Sequence, residues 1–214
     1  MARPSKFDRD EAIQTAMREI WREGYEASSV KHLSEVLGIT RSSFYNAFKS
    51  REDLFREAVG AYLALMPPAP TLNSDAAVLP RLTDFVREVC RFNAQHGWRG
   101  CLIANTIAEC CPAEEGPAAE MSKMACESAR SYRALLDRAK KNGEIPANAN
   151  THILALALQN LIMGLGVFAK ALKCEDKLWE LARTTLSGLG LYADWSKEPT
   201  QHEKHNVRKK LKRR

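Results

Sequence analysis

The sequence lacks the signatures of membrane, secreted and zinc-binding proteins. No apolar run continues without a polar residue for the roughly 18 residues that a membrane span needs. The first ten residues are mostly polar and contain no apolar run, which predicts no secretory signal. The six cysteines do not have the spacing of a zinc site, so that we expect reduced thiols and no metal. A cytoplasmic protein with no membrane partner is therefore expected.

Motifs for catalysis are also absent. The chain has no nucleophile elbow, no phosphate-binding loop and no zinc-binding helix motif, and its five histidines are scattered. We therefore expect neither an enzyme nor a cofactor. An enzyme would return as an alternative only if hydrolytic or transfer activity survived deletion of residues 1–66.

The excess of positive charge is confined to one end of the chain. There are 32 Lys and Arg against 26 Asp and Glu, for a net charge of +6. Residues 1–66 and 67–196 are each balanced, whereas residues 197–214 hold eight basic and two acidic residues. This tail has too little apolar content to fold alone. It is either a solvated, disordered tail or a non-specific tether to phosphates, which would steepen the salt dependence of binding.

A helix-turn-helix pattern begins at Ser29. This residue is suited to cap a short helix with apolar positions at helical spacing, and Gly38 is suited to close it. Thr40 is suited to cap the next helix, and Ser50 with Asp53 forms a reciprocal cap on a further one. A generic amphipathic helix pair is the alternative interpretation, but it would not require these caps and this glycine turn in this order.

The second helix of the pattern has two different faces. At 100° per residue, Phe44, Ala47 and Phe48 share an inward arc. The opposite arc carries hydroxyl, amide and basic groups suited to the major groove of DNA. The predicted base contacts are Arg41, Ser42, Ser43 and Asn46. The predicted phosphate contacts are Thr40, Tyr45, Lys49 and Arg51, and Lys31 completes the predicted DNA-binding set.

Local charge supports this assignment although the N-terminal segment is neutral overall. Between residues 28 and 51 a single acidic residue, Glu35, is accompanied by four basic residues. These are Lys31, Arg41, Lys49 and Arg51. Three further basic residues precede or open the predicted first helix, from where we expect them to reach the DNA backbone or minor groove. These are Arg3, Lys6 and Arg9.

Residues 8–23 are predicted to form the helix that supports the pair. Asp8 followed by Glu11 has the form of a capping box, and Gly24 ends the helix. Its apolar stripe consists of Ile13, Met17, Ile20 and Trp21.

With this helix in place, residues 1–66 resemble the DNA-binding domain of the TetR family of bacterial transcriptional regulators. The shared motifs are Gly24-Tyr25, Ser29-Val30, Leu33, Gly38-Ile39-Thr40, Phe44-Tyr45 with Phe48, and Ser50-Arg51-Glu52-Asp53-Leu54. Two positions depart from the family pattern. Arg51 replaces the usual lysine and keeps its charge, and Ser42 stands where glycine is common. Both departures concern which DNA sequence is recognised.

The resemblance implies an all-α, nine-helix architecture. Pro67 to Pro70 mark the join between the helix-turn-helix domain, residues 1–66, and a helical effector-binding and dimerisation domain, residues 67–196. Residues 197–214 form the basic tail. The helical segments predicted beyond the join are 76–97, 100–111, 115–142, 150–172 and 175–192.

The last two segments are too apolar for one monomer to cover. The apolar residues of segment 150–172 are Ile153, Leu154, Leu156, Leu158, Leu161, Ile162, Leu165 and Phe168, and Gly164 and Gly166 allow close helix approach. Those of segment 175–192 are Leu178, Leu181, Leu186, Leu189 and Leu191. In the family such helices form a four-helix homodimer interface, which suits two recognition helices on a pseudo-palindromic, double-stranded DNA operator. An internal core pair in a monomer is the alternative.

The segment from Trp98 to Glu109 resembles the sixth helix of a TetR subgroup, which often lines the effector pocket and moves when effector binds. The candidate ligand-binding residues are Phe85, Val89, Cys101, Asn105, Met121, Met124, Gln159 and Met163. Ordinary core packing is the alternative for each of them. Cys101, at the expected start of a helix and near Arg99, is a candidate sensor of electrophiles or oxidants. The alternative is an inert buried thiol.

These features favour a sequence-specific DNA-binding transcriptional regulator. The expected mode is a dimeric repressor that a small-molecule or thiol-reactive effector releases from its operator by reorienting the fourth helix. A non-inducible or partner-regulated DNA-binding protein, whose helical domain only dimerises, is the alternative.

Overall fold

Nine α-helices and no strand form the part of the chain that the structure, a computed structural model, describes: residues 8–73, 76–110, 112 and 114–193. In chain order the helices are α1 (Arg9–Glu23), α2 (Val30–Val36), α3 (Arg41–Phe48), α4 (Arg51–Leu65), α5 (Val78–Gln95), α6 (Leu102–Cys110), α7 (Pro117–Lys141), α8 (Thr151–Leu172) and α9 (Glu175–Gly188). The all-α, nine-helix prediction is thereby confirmed. Arg3, Lys6 and the basic tail lie outside the described residues.

The helix-turn-helix pattern folds as its capping residues predict. The Ser29 hydroxyl accepts from the His32 amide at 3.2 Å, and the Thr40 hydroxyl accepts from the Ser43 amide at 3.1 Å. Between these helices Gly38 has a φ of +64°, which glycine adopts without strain. These local bonds satisfy amides that a helix start otherwise leaves unpaired.

The N-terminus of α4 carries the reciprocal cap in a modified form. Ser50 accepts from the Asp53 amide at 3.0 Å and donates its hydroxyl to the Asp53 carboxylate at 2.9 Å. The carboxylate therefore accepts from the side chain of the cap residue. The Ser50 hydroxyl and the Asp53 carboxylate are therefore both paired where α4 begins.

Beyond the proline-rich join, the predicted helix bounds agree with the observed ones to within two residues, except at α9. The prediction that this helix continues to residue 192 is wrong, because α9 ends at Gly188. Gly190 adopts a φ of +69°, and the Leu191 amide donates to the Leu186 carbonyl at 2.8 Å. This is the bonding pattern that terminates a helix, and it turns Leu191 into the core.

Two apolar cores lie side by side, and we call α1–α4 the headpiece and α5–α9 the body. The headpiece core also takes in Phe92 of α5, Leu102 of α6 and Met121 of α7. At its centre the Trp21 ring stacks on Phe92 with centroids 5.6 Å apart. The second core is formed by α5, α7, α8 and α9. Headpiece and body therefore share apolar contacts at α1, and the predicted division at residue 66 stays a prediction.

Helix α8 is strongly apolar, as the sequence predicted. Among the described residues it is the one helix long and apolar enough to cross a membrane by length and composition. Gln159 and Asn160 interrupt its apolar run, but they do not lower the average enough to fail the criterion. The expectation concerned uninterrupted apolar runs, and Gln159 and Asn160 do interrupt this one. A single such helix is weak evidence for a membrane protein, because core helices of soluble proteins have the same character.

Candidate functional site

The face of α3 predicted to contact DNA is exposed. The Phe44 and Phe48 rings point into the headpiece core with at most 1% of their surface exposed, whereas Tyr45 between them is 51% exposed. Eight of the nine predicted DNA-binding residues are exposed side chains. These eight are Lys31, Thr40, Arg41, Ser42, Ser43, Tyr45, Asn46 and Lys49. The helix thus presents hydroxyl, amide and basic groups on a rigid apolar base.

Hydroxyl groups cluster where α3 begins. The Thr40 hydroxyl lies 3.1 Å from that of Ser42 and 2.9 Å from that of Ser43. These contacts hold the three side chains at the exposed end of α3 that would enter a groove first. Because hydroxyls rotate freely and both donate and accept, each can exchange its neighbour for a phosphate or a base edge.

Two predicted DNA contacts are partly engaged within the headpiece. Arg51 is half-buried; its guanidinium lies 4.0 Å from the centre of the Tyr25 ring, and its Nε donates to the Tyr25 hydroxyl at 3.1 Å. Burial raises the pKa of Tyr25 to about 12. Arg9 pairs with Glu57 at 2.6 Å. This pair ties α1 to α4, and the predicted contact of Arg9 with DNA stays a prediction.

A cavity of about 570 Å³ lies in the body next to the end of α4. Four of the eight candidate ligand-binding residues line it: Phe85, Cys101, Gln159 and Met163. The remaining wall residues are Tyr62, Leu63, Ala64, Met66, Pro67, Pro68, Ala69, Ile103, Ala125, Ser128, Tyr132 and Ile162. The wall therefore combines α4, α5, α6, α7 and α8 with the segment that follows α4.

The other four candidates lie elsewhere. Val89 belongs to the body core and Met121 to the headpiece core, both 2% exposed. Met124 packs against the headpiece core, and Asn105 donates to the Arg99 carbonyl at 3.1 Å. These four residues do not line this cavity, because each helix contributes only a turn or two to its wall. Val89 lies one turn beyond Phe85, outside that stretch.

Sequence reasoning missed two tyrosines that line the cavity. Burial and the neighbouring Cys101 thiol raise the pKa of Tyr62 well above its ordinary value, and the same two causes raise the pKa of Tyr132 to about 12. On α7 a signal was available, because Ala125, Ser128 and Tyr132 recur at helical spacing on one face. Nothing in the sequence around Tyr62 distinguishes it from a core residue.

Large apolar side chains are exposed on α8 and α9. On α8 these include Val167 and Phe168, whose side chains are 55% and 53% exposed. The others are Ile153 and Leu156 on α8 and Leu181 on α9. Such a face is unusual on a monomer surface and typical of an interface. The described part of the chain brings no three His, Cys, Asp or Glu side chains together in a way that could hold a metal ion.

Comparisons with known proteins agree with this architecture. The model for bacterial regulatory proteins of the tetR family matches residues 12–58, and that for the tetracyclin repressor-like C-terminal domain matches residues 78–185. The HTH-type transcriptional repressor ComR of Escherichia coli (strain K12) is 29% identical over 188 residues, 86% of this chain and 90% of ComR. The uncharacterized HTH-type transcriptional regulator YezE of Bacillus subtilis (strain 168) is 29% identical over 202 residues, 88% and 100% of the two chains.

Solved structures show the same similarity. A cysteine mutant of the TetR family transcriptional regulator CifR, complexed with 26 bp double-strand operator DNA, is 30% identical with a TM-score of 0.77. The match covers 87% of this chain and 98% of that one. The regulatory protein TetR from Rhodobacter sphaeroides, at 24% identity and a TM-score of 0.69, shows the same fold over 85% of this chain and 96% of its own.

Proposed function

The chain belongs to the TetR family of bacterial transcriptional regulators, and we propose that it represses transcription as a homodimer that an effector releases from a DNA operator. It is a DNA-binding regulator and not an enzyme. In this proposal residues 1–66 bind DNA, residues 67–196 bind the effector and dimerise, and the protein acts in the cytoplasm.

The observation that carries the proposal is the exposed face of α3. Arg41, Ser42, Ser43 and Asn46 project from the first turns of a helix whose opposite side is buried. Arginine and asparagine pair with base edges in the major groove, whereas hydroxyls bind either bases or phosphates. The CifR structure, a complex of a relative of 30% identity with operator DNA, supports the same partner here.

The experiment is selection of duplexes from a random pool, followed by affinity measurement on the selected sequence. We expect a pseudo-palindrome with half-sites about one helical turn apart. Arg41→Ala should weaken binding at least about tenfold, the loss of one good base contact. Arg130→Ala, an exposed arginine on α7, is the matched control and should bind like the wild type. If no duplex is enriched, or if both variants bind equally well, the assignment of α3 is wrong.

The apolar faces of α8 and α9 support the homodimer. A two-fold axis between them would bury Val167 and Phe168 against their own copies, which also accounts for the apolar character of α8 without a membrane. A monomer with an internal core pair would not leave these side chains half exposed. Sedimentation of Phe168→Glu against the wild type tests this: the wild type should sediment as a dimer, and the variant as a monomer at micromolar concentration.

The cavity supports control by a neutral, largely apolar effector. Its described wall contains no Asp, Glu, Lys, Arg or His, so a charged ligand would lose its hydration without gaining a partner of opposite charge. The polar side-chain groups available are the Gln159 amide, the hydroxyls of Tyr62, Tyr132 and Ser128, and the Cys101 thiol. A thiol-reactive effector would meet Cys101 in the same place.

Helix α4 supplies the proposed route from the effector to the DNA. Tyr62 and Met66 at its C-terminal end belong to the cavity wall, and its N-terminal end packs beneath α3. A coupling of about 1 to 3 kcal/mol between the two sites is enough to change operator occupancy several-fold or more. The open volume of the cavity favours regulation by an effector over the non-inducible alternative. For a non-inducible protein we would expect a cavity filled by side chains.

A further inference from the structure

Helix α6 contacts the cavity at one end and the headpiece at the other. Cys101, its N-terminal neighbour, and Ile103 in its first turn line the cavity. In its last turn, the Glu109 carboxylate accepts from the backbone amides of Tyr25 and Glu26 at 2.9 and 3.0 Å. These amides belong to the turn between α1 and α2. At this end of α6 one carboxylate of the body contacts main chain of the headpiece, in addition to the apolar contacts of Phe92, Leu102 and Met121.

The turn that Glu109 contacts has a sequence suited to the contact. Gly24 has a φ of +95°, where a side chain is strained, and a Cβ at this position would lie 2.6 Å from the Glu109 carboxylate. Only glycine lets the carboxylate approach so closely. The pair is 85 positions apart in the sequence (109 minus 24), so neither residue predicts the other.

The opposite end of α6 is held equally closely. The buried Trp21 indole donates to the Gly100 carbonyl at 2.8 Å. A Cβ on Gly100 would lie 2.6 Å from the Gly166 carbonyl of α8, so that the start of α6 sits directly on the backbone of α8. Three hydrogen bonds, two at the C-terminal end of α6 and one just before its N-terminal end, thus connect the body to the last turn of α1 and to the residues that follow it.

We infer that Glu109 is a positioning residue for operator recognition: it sets the angle between headpiece and body, and thereby the separation of the two α3 helices in the dimer. The inference rests on the proposed dimeric function. A carboxylate that accepts from two backbone amides forms charge-assisted bonds of fixed direction. A second charged link between headpiece and body, Arg56 with Glu120 at 2.9 Å, joins two exposed flexible side chains and fixes the angle less well.

The experiment measures affinity for operators with altered spacing between half-sites. Inserting or removing about two base pairs rotates one half-site by roughly 70° relative to the other. The wild type should lose about tenfold or more in affinity, the cost of about one good base contact. With the same change in spacing, the affinity of Glu109→Ala should fall by less than about threefold, because a loosely held headpiece can follow the displaced half-site. Glu109→Gln, which keeps one acceptor oxygen, should lie between them.

Two further variants separate positioning from folding. Gly24→Ala breaks the same contact from the other side and should flatten the spacing dependence as Glu109→Ala does. Glu127→Ala, at an exposed position on α7, is the matched control and should keep the wild-type dependence. Hydrogen exchange at the Tyr25 and Glu26 amides should accelerate in Glu109→Ala while the amides within α1 keep their protection.

The two possible failures are distinguishable. If the wild type binds the selected operator with a sharp spacing optimum and Glu109→Ala keeps that optimum, the positioning role is wrong and the proposed function stands. If the wild type binds no duplex at all, the proposed function is wrong. Unchanged exchange at the Tyr25 and Glu26 amides in Glu109→Ala overturns the role of Glu109 in either case.

Discussion

The outward face of α3 and the cavity in the body are constructed in opposite ways. The α3 face takes its side chains from one eight-residue helix and the residues next to it. The cavity takes its wall from five helices and the segment after α4. The α3 face needs only that this one helix is held in place. The cavity exists only when α4, α5, α6, α7 and α8 are packed together.

Because of this difference, substitutions on the α3 face should affect DNA binding without affecting stability, whereas substitutions in the cavity wall should affect both binding and stability. On the α3 face, an exposed side chain has few partners within the protein, so its removal changes the free energy of unfolding by no more than about 0.5 kcal/mol. In the cavity wall, a side chain faces the open volume and also packs against a neighbouring helix. We therefore expect substitutions there to change the binding of the proposed effector and the free energy of unfolding together.

The largest expected effect concerns the support beneath the α3 face. Phe44 is fully buried, so Phe44→Ala should lower the free energy of unfolding by about 3 to 5 kcal/mol and abolish operator binding with it. Tyr45→Ala, at the adjacent exposed position, is the control and should unfold almost like the wild type. Chemical denaturation measures both. Equal stability of the two variants would show that α3 does not depend on the ring beneath it.

A smaller effect tests whether the exposed face acts on binding alone. Asn46→Ala should weaken operator binding by about 1 to 3 kcal/mol and relax the preference at one base pair, with an unchanged melting temperature. Gln95→Ala, an exposed amide at the end of α5, should change neither quantity. Affinity for the selected operator and for its single-base variants gives the answer. A uniform loss over all sequences would instead assign Asn46 to the phosphate backbone.

A dye pair tests the charge preference of the cavity. N-phenylnaphthylamine is neutral, and anilinonaphthalene sulfonate adds a sulfonate to the same arylamine. The neutral dye should bind one per chain, and the sulfonate about tenfold more weakly, since no cation in the described wall offsets its charge. Fluorescence titration measures both dissociation constants.

A variant that fills part of the cavity tests whether the dye signal comes from dye bound there. Ala125→Leu places added carbons in the wall and should remove the signal of the neutral dye while the protein stays folded. Gln159→Leu should weaken the neutral dye through loss of its amide partner. Equal affinity for the two dyes in the wild type would contradict a neutral effector.

The smallest expected effect is electrostatic. Lys49→Gln removes one charge at the end of α3 and should reduce the slope of log affinity against log salt by about 0.9, the value for one phosphate contact. Its effect should be similar on selected and unselected duplexes. Lys123→Gln, at an exposed position on α7, should keep the wild-type slope. A changed base preference in Lys49→Gln would mean that this lysine contacts a base edge.

The sequence predicted the headpiece well because its signals are local. Ser29, Thr40 and Ser50 cap helices through bonds that span only three residues, so a short stretch of chain contains both partners. The alternation of Phe44 and Phe48 with polar residues determines which side of α3 is buried. The cavity was predicted only in part, because helical spacing shows which side of a helix points inward and not which turn meets another helix. Val89 and Met121 point inward as expected, yet they meet packed side chains.

By itself, the sequence determined the helices, the exposed chemistry of α3 and the apolar excess of α8, since each depends on residues within a few turns of one another. Tertiary structure alone decided that Tyr62 lines the cavity and that Arg51 lies on Tyr25. It alone decided that Glu109 contacts the turn at Gly24. These contacts join elements that are distant in the chain, and their geometry depends on how whole helices pack, which no local pattern of residues encodes.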